Sequence, residues 1–234
     1  MTTAIILAGG LGTRLRPVLP SVPKPMAPVN GRPFLEYLMD YWINQGIEDF
    51  ILSIGYLGDQ VMDHFGNCYR GYPLQYSVEE LPLGTGGAVL VAVQRLRREA
   101  PFLLLNGDTF FEVDLAALQT FHLEHESEWT FSMFRTNESG RYMCLEADAG
   151  GRLTDIGTVF GTKGALANGG AYLIDPAVLV NCGSAVGESS SLESDLVPKA
   201  FDNGVRFFGF ESDGRFIDIG VPEDYARALS VLRY

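Results

Sequence analysis

Residues 3–7, "TAIIL", form a short β-branched apolar run that meets glycines at once. Such a run predicts a buried strand ending in a loop. Between 33 and 46, apolar residues recur at Phe34, Leu35, Leu38, Trp42 and Ile43. That is helical spacing, and Gly46 supplies a stop. Residues 49–55 predict a second strand, 58–66 a short helix, 74–80 a third strand, 85–100 a helix with a basic end, and 101–108 a fourth strand. Alternating strands and helices predict a parallel sheet covered on both faces. From 129 to 175 the pattern changes to short strands separated by turns, "EWTFSMFRT", "MCLEAD", "RLTDIG" and "GGAYLID". An antiparallel portion or an added sheet is expected there. "LESDLVPKAF" then predicts a helix, "VRFFGFE" and "RFIDIG" two strands, and "PEDYARALSVLR" a closing helix with Pro222 near its start. No linker, repeat or low-complexity tract interrupts the chain. The expected fold is one α/β domain over 1–234, three-layered and Rossmann-like, with a mostly parallel sheet.

Composition narrows the possible partners. The 234 residues are 47% hydrophobic, enough for one proper core, and carry a net charge of −12. Such acidity argues against nucleic acid or an anionic membrane, which attract basic faces. No apolar run approaches the ~20 residues that span a bilayer, and the N-terminus lacks a basic n-region, so a cytoplasmic protein is expected. Cys68, Cys144 and Cys182 are widely spaced and form no CxxC pair, so neither a disulfide framework nor a zinc site is indicated. Against the overall acidity, the first 35 residues hold no Asp or Glu but do hold Arg14, Arg16, Lys24 and Arg32.

Ligands of open parallel sheets bind beyond the carboxyl ends of the strands. After the first strand comes Gly9-Gly10-Leu11-Gly12-Thr13-Arg14. Glycines let consecutive N–H groups approach an anion, and an arginine adds a bidentate donor for phosphate. The spacing is neither GxGxxG nor GxxxxGK[ST]. Lys24 stands between Pro23 and Pro25, which fix the backbone and present the ammonium at little entropic cost. Asn106-Gly107-Asp108 and Asp218-Ile219-Gly220 each place an Asp at a strand end, where the sheet would present both to one crevice. Two carboxylates with phosphate oxygens and water suit Mg²⁺. Before the helix at 85, Gly84, Gly86 and Gly87 would let a base or a second anion come close, and Glu79 and Glu80 stand just ahead. A carboxylate can accept both N1–H and N2–H of guanine; uracil and thymine suit an amide better. His122 and His125, three apart on an expected helix, read as a solvated helix face. No GxSxG or Cys/His pairing suggests an acyl nucleophile.

"LAGGLGTRLRP…PKPM", "PLGTGGA", "NGDTFF", "NGGAYLI" and "FIDIGVPEDY" together resemble the sugar-1-phosphate nucleotidylyltransferases, nearly end to end and in the same order. The wording is most similar to the D-glycero-α-D-manno-heptose 1-phosphate guanylyltransferase subgroup. The resemblance implies a nucleotide-diphospho-sugar transferase fold and one reaction, in which a nucleoside triphosphate and a sugar 1-phosphate give a nucleotide-sugar and pyrophosphate. A phosphate monoester is largely dianionic at neutral pH, so no general base is required. The work is to join two polyanions and stabilise in-line displacement.

By the family pattern, Arg14 would hold the β/γ-phosphates, Lys24 would bridge the attacking phosphate and the α-phosphate, and Asp108 and Asp218 would hold Mg²⁺. Leu7, Ala8, Gly9, Gly10, Gly12, Thr13, Glu79, Pro82, Gly84 and Thr85 would meet the nucleotide. Asn106, Asn168, Gly170 and Glu193 would meet the sugar. Residues 1–110 with 215–234 would form the nucleotide half, and 111–214 the sugar half. Relatives usually carry F-x-E-K ahead of NGGxY; here Gly157 and Thr158 fall about where its Glu and Lys would be, with Lys163 five residues on. "RYMCLEAD" likewise replaces RYG-x-V. Many relatives carry a C-terminal β-helix of hexapeptide repeats, which is not expected here; the motifs leave the oligomeric state open, a homodimer among the options. Other sugars or bases remain open, mannose 1-phosphate with GTP among them. A non-catalytic nucleotide-sugar binder would have no need of Asp108 with Asp218. A glycosyltransferase would usually place D-x-D where N-G-D stands.

Overall fold

The computed structural model describes residues 2–232 except 11, 16, 139, 161, 162 and 181–184. In chain order the longer elements are β1 (Thr3–Leu7), α1 (Phe34–Asn44), β2 (Asp49–Ile54), α2 (Gly58–Phe65), β3 (Tyr72–Val78), α3 (Gly84–Ala92), β4 (Phe102–Asn106), β5 (Thr109–Phe111), α4 (Leu115–Glu124), β6 (Trp129–Arg135), β7 (Met143–Ala147), β8 (Leu153–Phe160), β9 (Leu166–Ile174), α5 (Pro176–Val180), α6 (Val197–Asp202), β10 (Phe207–Glu211), β11 (Phe216–Asp218) and α7 (Pro222–Val231).

β1 lies at the centre, parallel to β2 on one side and β4 on the other, with β3 beyond β2. Its Ala4, Ile5 and Ile6 are fully buried because both faces are covered. Ile6 faces Phe50, Leu52 and α1, whereas Ile5 faces Ile51, Leu104 and the Val89–Leu90 stretch of α3. Period-two alternation along one strand thus feeds two cores. The antiparallel portion continues the same sheet: β9 pairs antiparallel with both β4 and β6, and β10 runs parallel to β6. β7 and β8 pair antiparallel, and Cys144 of β7 meets Ala167 at the start of β9.

Two sequence expectations change. The helix predicted for 85–100 stops at Ala92 and gives way to one tight turn, Val93–Arg95. Beyond it Arg97, Arg98 and Glu99 are exposed and offer no apolar stripe to bury. His122 is no solvated residue: it is 3% exposed and takes the core-facing slot after Leu115 and Leu118 on α4. Its Nδ1 pairs with Thr130 Oγ1 at 2.8 Å, and Thr130 in turn donates to Ser127 at 2.9 Å. Burial lowers its pKa. His125 stacks on Phe121. Cys68 and Cys144 form no disulfide among the described residues; Cys182 lies outside them.

Two features position the site. β11 pairs antiparallel with β5 as a separate two-stranded ribbon, Asp218 opposite Thr109. α7 follows directly, with Pro222 in its first turn as expected. Its Tyr225 donates to the Pro28 carbonyl at 2.6 Å, and its buried Asp224 pairs with Arg141 and Arg227. The closing helix is thereby tied to the segment after Lys24 and to the approach to β7. Replacing Asp224 by Ala would leave Arg141 and Arg227 only the more exposed Glu138 to share; we expect a loss of about 2 kcal/mol in chemical unfolding, and a loss under ~0.5 kcal/mol would show that the buried pair contributes little.

Candidate active site

A cleft of about 580 Å³ opens beyond the carboxyl ends of the central strands. Leu7 and Asn106, adjacent in register at the ends of β1 and β4, begin its floor. Gly9, Gly10, Gly12, Thr13 and Arg14 continue it. A Cβ at Gly9 would stand 2.5 Å from Glu79 Oε1 and 3.0 Å from Gly55 N, so the close approach requires glycine. Gly12 has φ +58°, and buried Leu15 anchors the loop through its N–H to the Gly12 carbonyl. Ala8 does not join the lining; it is buried and its N–H donates to the Ser53 carbonyl at 2.7 Å. Arg16 lies outside the described residues.

Lys24 opens a single 3₁₀ turn, Lys24–Met26, with Pro23 extended before it and Pro25 buried behind it. Its ammonium pairs with Asp108 Oδ2 and lies 3.7 Å from Asp218 Oδ1. Both carboxylates therefore reach one crevice, as the sequence suggested, but Asp218 does not arrive on the parallel sheet. The β5–β11 ribbon delivers it, and the Ile219 N–H donates to the Asp108 carbonyl at 3.0 Å. Asp218 also accepts from the Gly220 N–H at 2.6 Å; a Cβ there would stand 2.8 Å from Lys24 Nζ. Burial, then the negative charge of Asp108, pushes the Asp218 carboxyl above its ordinary pKa, while Lys24, the Gly220 N–H and Arg14 oppose the rise.

The far wall holds Glu79, Pro82, Gly84 and Thr85. Glu79 accepts from the Leu83 N–H at 3.0 Å, and burial pushes its carboxyl up. Gly84 stays in the cleft wall, but Gly86 and Gly87 turn to the chain itself. The N–H groups of Gly86 and Gly87 both donate to the Ser190 carbonyl, at 2.9 and 3.3 Å. A Cβ at Gly84 would stand 2.5 Å from that oxygen, and one at Gly86 2.7 Å from Ser190 Oγ. The glycines admit residues 188–191 of the chain itself, so the donors of Gly86 and Gly87 are not free for a second anion. The same contact carries Glu193 into the cleft.

Asn168 and Gly170 do not line the cleft. Asn168 donates to the Tyr172 hydroxyl at 2.7 Å and accepts from the Gly170 N–H at 3.0 Å, so both ends of its amide are engaged within the fold. Gly170 has φ +71°, and a Cβ there would stand 2.9 Å from Asn106 Nδ2. Gly170 thus packs closely against Asn106. Conversely Pro25, Ala88 and Thr109 also line the cleft. Each directly follows or closes a motif already singled out, so adjacency was the available signal. The two departures from the family wording lie face to face. Gly157 has φ +74°, and a Cβ there would meet Met143 Cγ at 2.7 Å and Sδ at 2.9 Å. With Met143 in place, no larger residue fits at 157 without a shift. Lys163 is exposed ahead of β9 and away from the lining.

Residues 3–233 match the nucleotidyl transferase family model. The chain belongs to the nucleotidyl transferase family. It is 39% identical over 231 residues to the D-glycero-alpha-D-manno-heptose 1-phosphate guanylyltransferase of Aneurinibacillus thermoaerophilus, covering 99% of this chain and 98% of that protein. It is 31% identical to the mannose-1-phosphate guanylyltransferase of Mycobacterium tuberculosis, of which it spans 64%. The crystal structure of HddC from Yersinia pseudotuberculosis complexed with GMP-PN superposes with a TM-score of 0.85 at 32% identity, both chains covered in full. The nucleotide-diphospho-sugar transferase fold expected from the motifs is therefore the fold of this transferase. No helix among the described residues is long and apolar enough to cross a membrane.

Because Glu79 holds its proton more tightly in the folded than in the unfolded chain, its ionisation lowers stability as pH rises through the folded pKa. Glu79→Gln should therefore melt about 2 °C above the wild type at pH 8, the gap closing at about pH 4, where Glu79 is itself protonated. Thermal melts across this range read the difference, and a gap that widens towards acid contradicts the assignment.

Proposed function

We propose that this transferase moves GMP from GTP to D-glycero-α-D-manno-heptose 1-phosphate, releasing pyrophosphate and forming the nucleotide-sugar. The observation that carries the reading is the convergence of Arg14, Lys24, Asp108 and Asp218 in one cleft. The near-full-length similarity to a heptose 1-phosphate guanylyltransferase supports the choice of sugar and base. A cytoplasmic enzyme, with access to nucleoside triphosphates, fits this reaction.

The sugar phosphate brings its own nucleophile, a phosphate oxygen already ionised at neutral pH. Thr13 and the backbone of the glycine loop receive the triphosphate. Arg14, exposed at the mouth, takes the β/γ-phosphates and then the leaving pyrophosphate. Lys24 holds the attacking phosphate against the α-phosphate, where two anions would otherwise repel each other. Glu79 accepts from the guanine edge, beside Pro82, Gly84 and Thr85. Asn106 and Glu193 meet the sugar, with residues 111–214 supplying most of that half.

A divalent cation fits the donor set. Asp108 and Asp218 converge closely enough to share one ammonium, and Mg²⁺ takes one or two carboxylates with phosphate oxygens and water. Among the described residues no three His, Cys, Asp or Glu side chains could hold a metal together, so this site would be completed by the substrates. When bound, the ion neutralises charge on the transferring phosphoryl group.

The test is pyrophosphate release across four triphosphates and several sugar 1-phosphates, heptose and mannose included. Turnover dominated by GTP with the heptose is expected; dominance of mannose 1-phosphate would transfer the reading to the function of the mycobacterial relative. Asp108→Asn and Asp218→Asn should each lower turnover about 100-fold or more with the fold intact by circular dichroism. Near-normal rates in either would remove the cation site. Glu79→Gln should shift the GTP-over-UTP preference about tenfold towards UTP, and equal losses with both bases would separate Glu79 from base recognition.

A further inference from the structure

Thr85 stands at the start of α3, on the wall facing the nucleotide, yet its hydroxyl is turned to the opposite wall. The Leu192 N–H donates to Thr85 Oγ1 at 2.8 Å. With that lone pair engaged, the hydroxyl proton is directed to Glu193 Oε2, 3.3 Å away. Both side chains line the cleft. The backbones around them are locked together: Ser190 N–H donates to the Leu83 carbonyl at 2.8 Å, and Ser190 accepts from Gly86 and Gly87. Glycine at 84 and 86 lets the two segments meet, so residues 85 and 193 are held at one fixed separation. Glu193 is mostly buried, and burial raises its carboxyl; its own backbone N–H and the Thr85 and Ser191 hydroxyls act against the rise, and Asp108 adds to it.

We propose that Thr85 is a positioning residue for Glu193, holding that carboxylate aimed into the cleft, so that it sets affinity for the sugar phosphate although it sits on the nucleotide wall. The assignment of Glu193 to the sugar rests on the function proposed above. The hydroxyl contact itself does not.

Four variants separate the two. In Thr85→Val the KM for the sugar 1-phosphate should rise about tenfold, as loss of a hydrogen bond to a charged group predicts, and by more than any rise in the KM for GTP, whose wall Thr85 also lines. Thr85→Ser keeps the donor and should restore the KM for the sugar 1-phosphate. In a Glu193→Gln background, Thr85→Val should add little, because the partner charge is already gone. A readout that needs no substrate is the Glu193 carboxyl titration by carbon-13 NMR on glutamate-labelled protein, assigned by the signal lost in Glu193→Gln. The Glu193 pKa should move further up in Thr85→Val and stay in place in Thr85→Ser. An unchanged titration in Thr85→Val overturns the proposal whatever the substrate. Equal rises in both KM values, failure of Ser to rescue, or full additivity with Glu193→Gln also overturn it. A raised Glu193 pKa in Thr85→Val with no wild-type turnover of the heptose would uphold the Thr85 contact and reject the substrate reading.

Discussion

One ammonium between two carboxylates is the constraint around which this chain is arranged. Lys24, Asp108 and Asp218 come from three distant parts of the sequence and share a single pocket of charge. Two acids this close repel, and burial makes the repulsion expensive, as the raised Asp218 carboxyl shows. A cation between them lowers that cost, as Lys24 does here. That pairing accounts for the fixed PKP turn, the ribbon that carries Asp218, and the glycine at 220 that leaves room for Lys24 Nζ.

A second device joins the two walls of the cleft. The helix that begins at Gly84 would ordinarily offer free N–H groups to an anion. Here Gly86 and Gly87 give theirs to Ser190, and the absent Cβ atoms let the chain's own backbone fill the space. In the function proposed above the earlier glycine loop and its arginine receive the anion, while the later glycines set the distance across the cleft. Glycine-rich segments of similar appearance thus do opposite work, and only their neighbours distinguish them.

Histidine and asparagine teach the same lesson. His122 occupies a core slot because helical periodicity after Leu115 and Leu118 places it there, and the Thr130 hydroxyl satisfies its ring. Asn168, matched by wording to a sugar contact, is engaged at both ends of its amide by Tyr172 and Gly170. In each case the residue type was legible and the direction of its side chain was not.

The sequence by itself determined the local and the linear: the buried central strands, the helices that cover them, the basic island at Arg14 and Lys24, the acids at two strand ends, and the family to which the motif order belongs. These are readable because hydrophobic period, turn chemistry and charge act over a few residues. The tertiary structure decided what meets what. Asp218 reaches Asp108 by an antiparallel ribbon, residues 188–193 close against α3, Met143 fills the space beside Gly157, and Thr85 turns to Glu193. Such contacts join segments up to about two hundred residues apart, and no short-range pattern encodes them: they are settled when buried polar groups find partners and packed backbones find room.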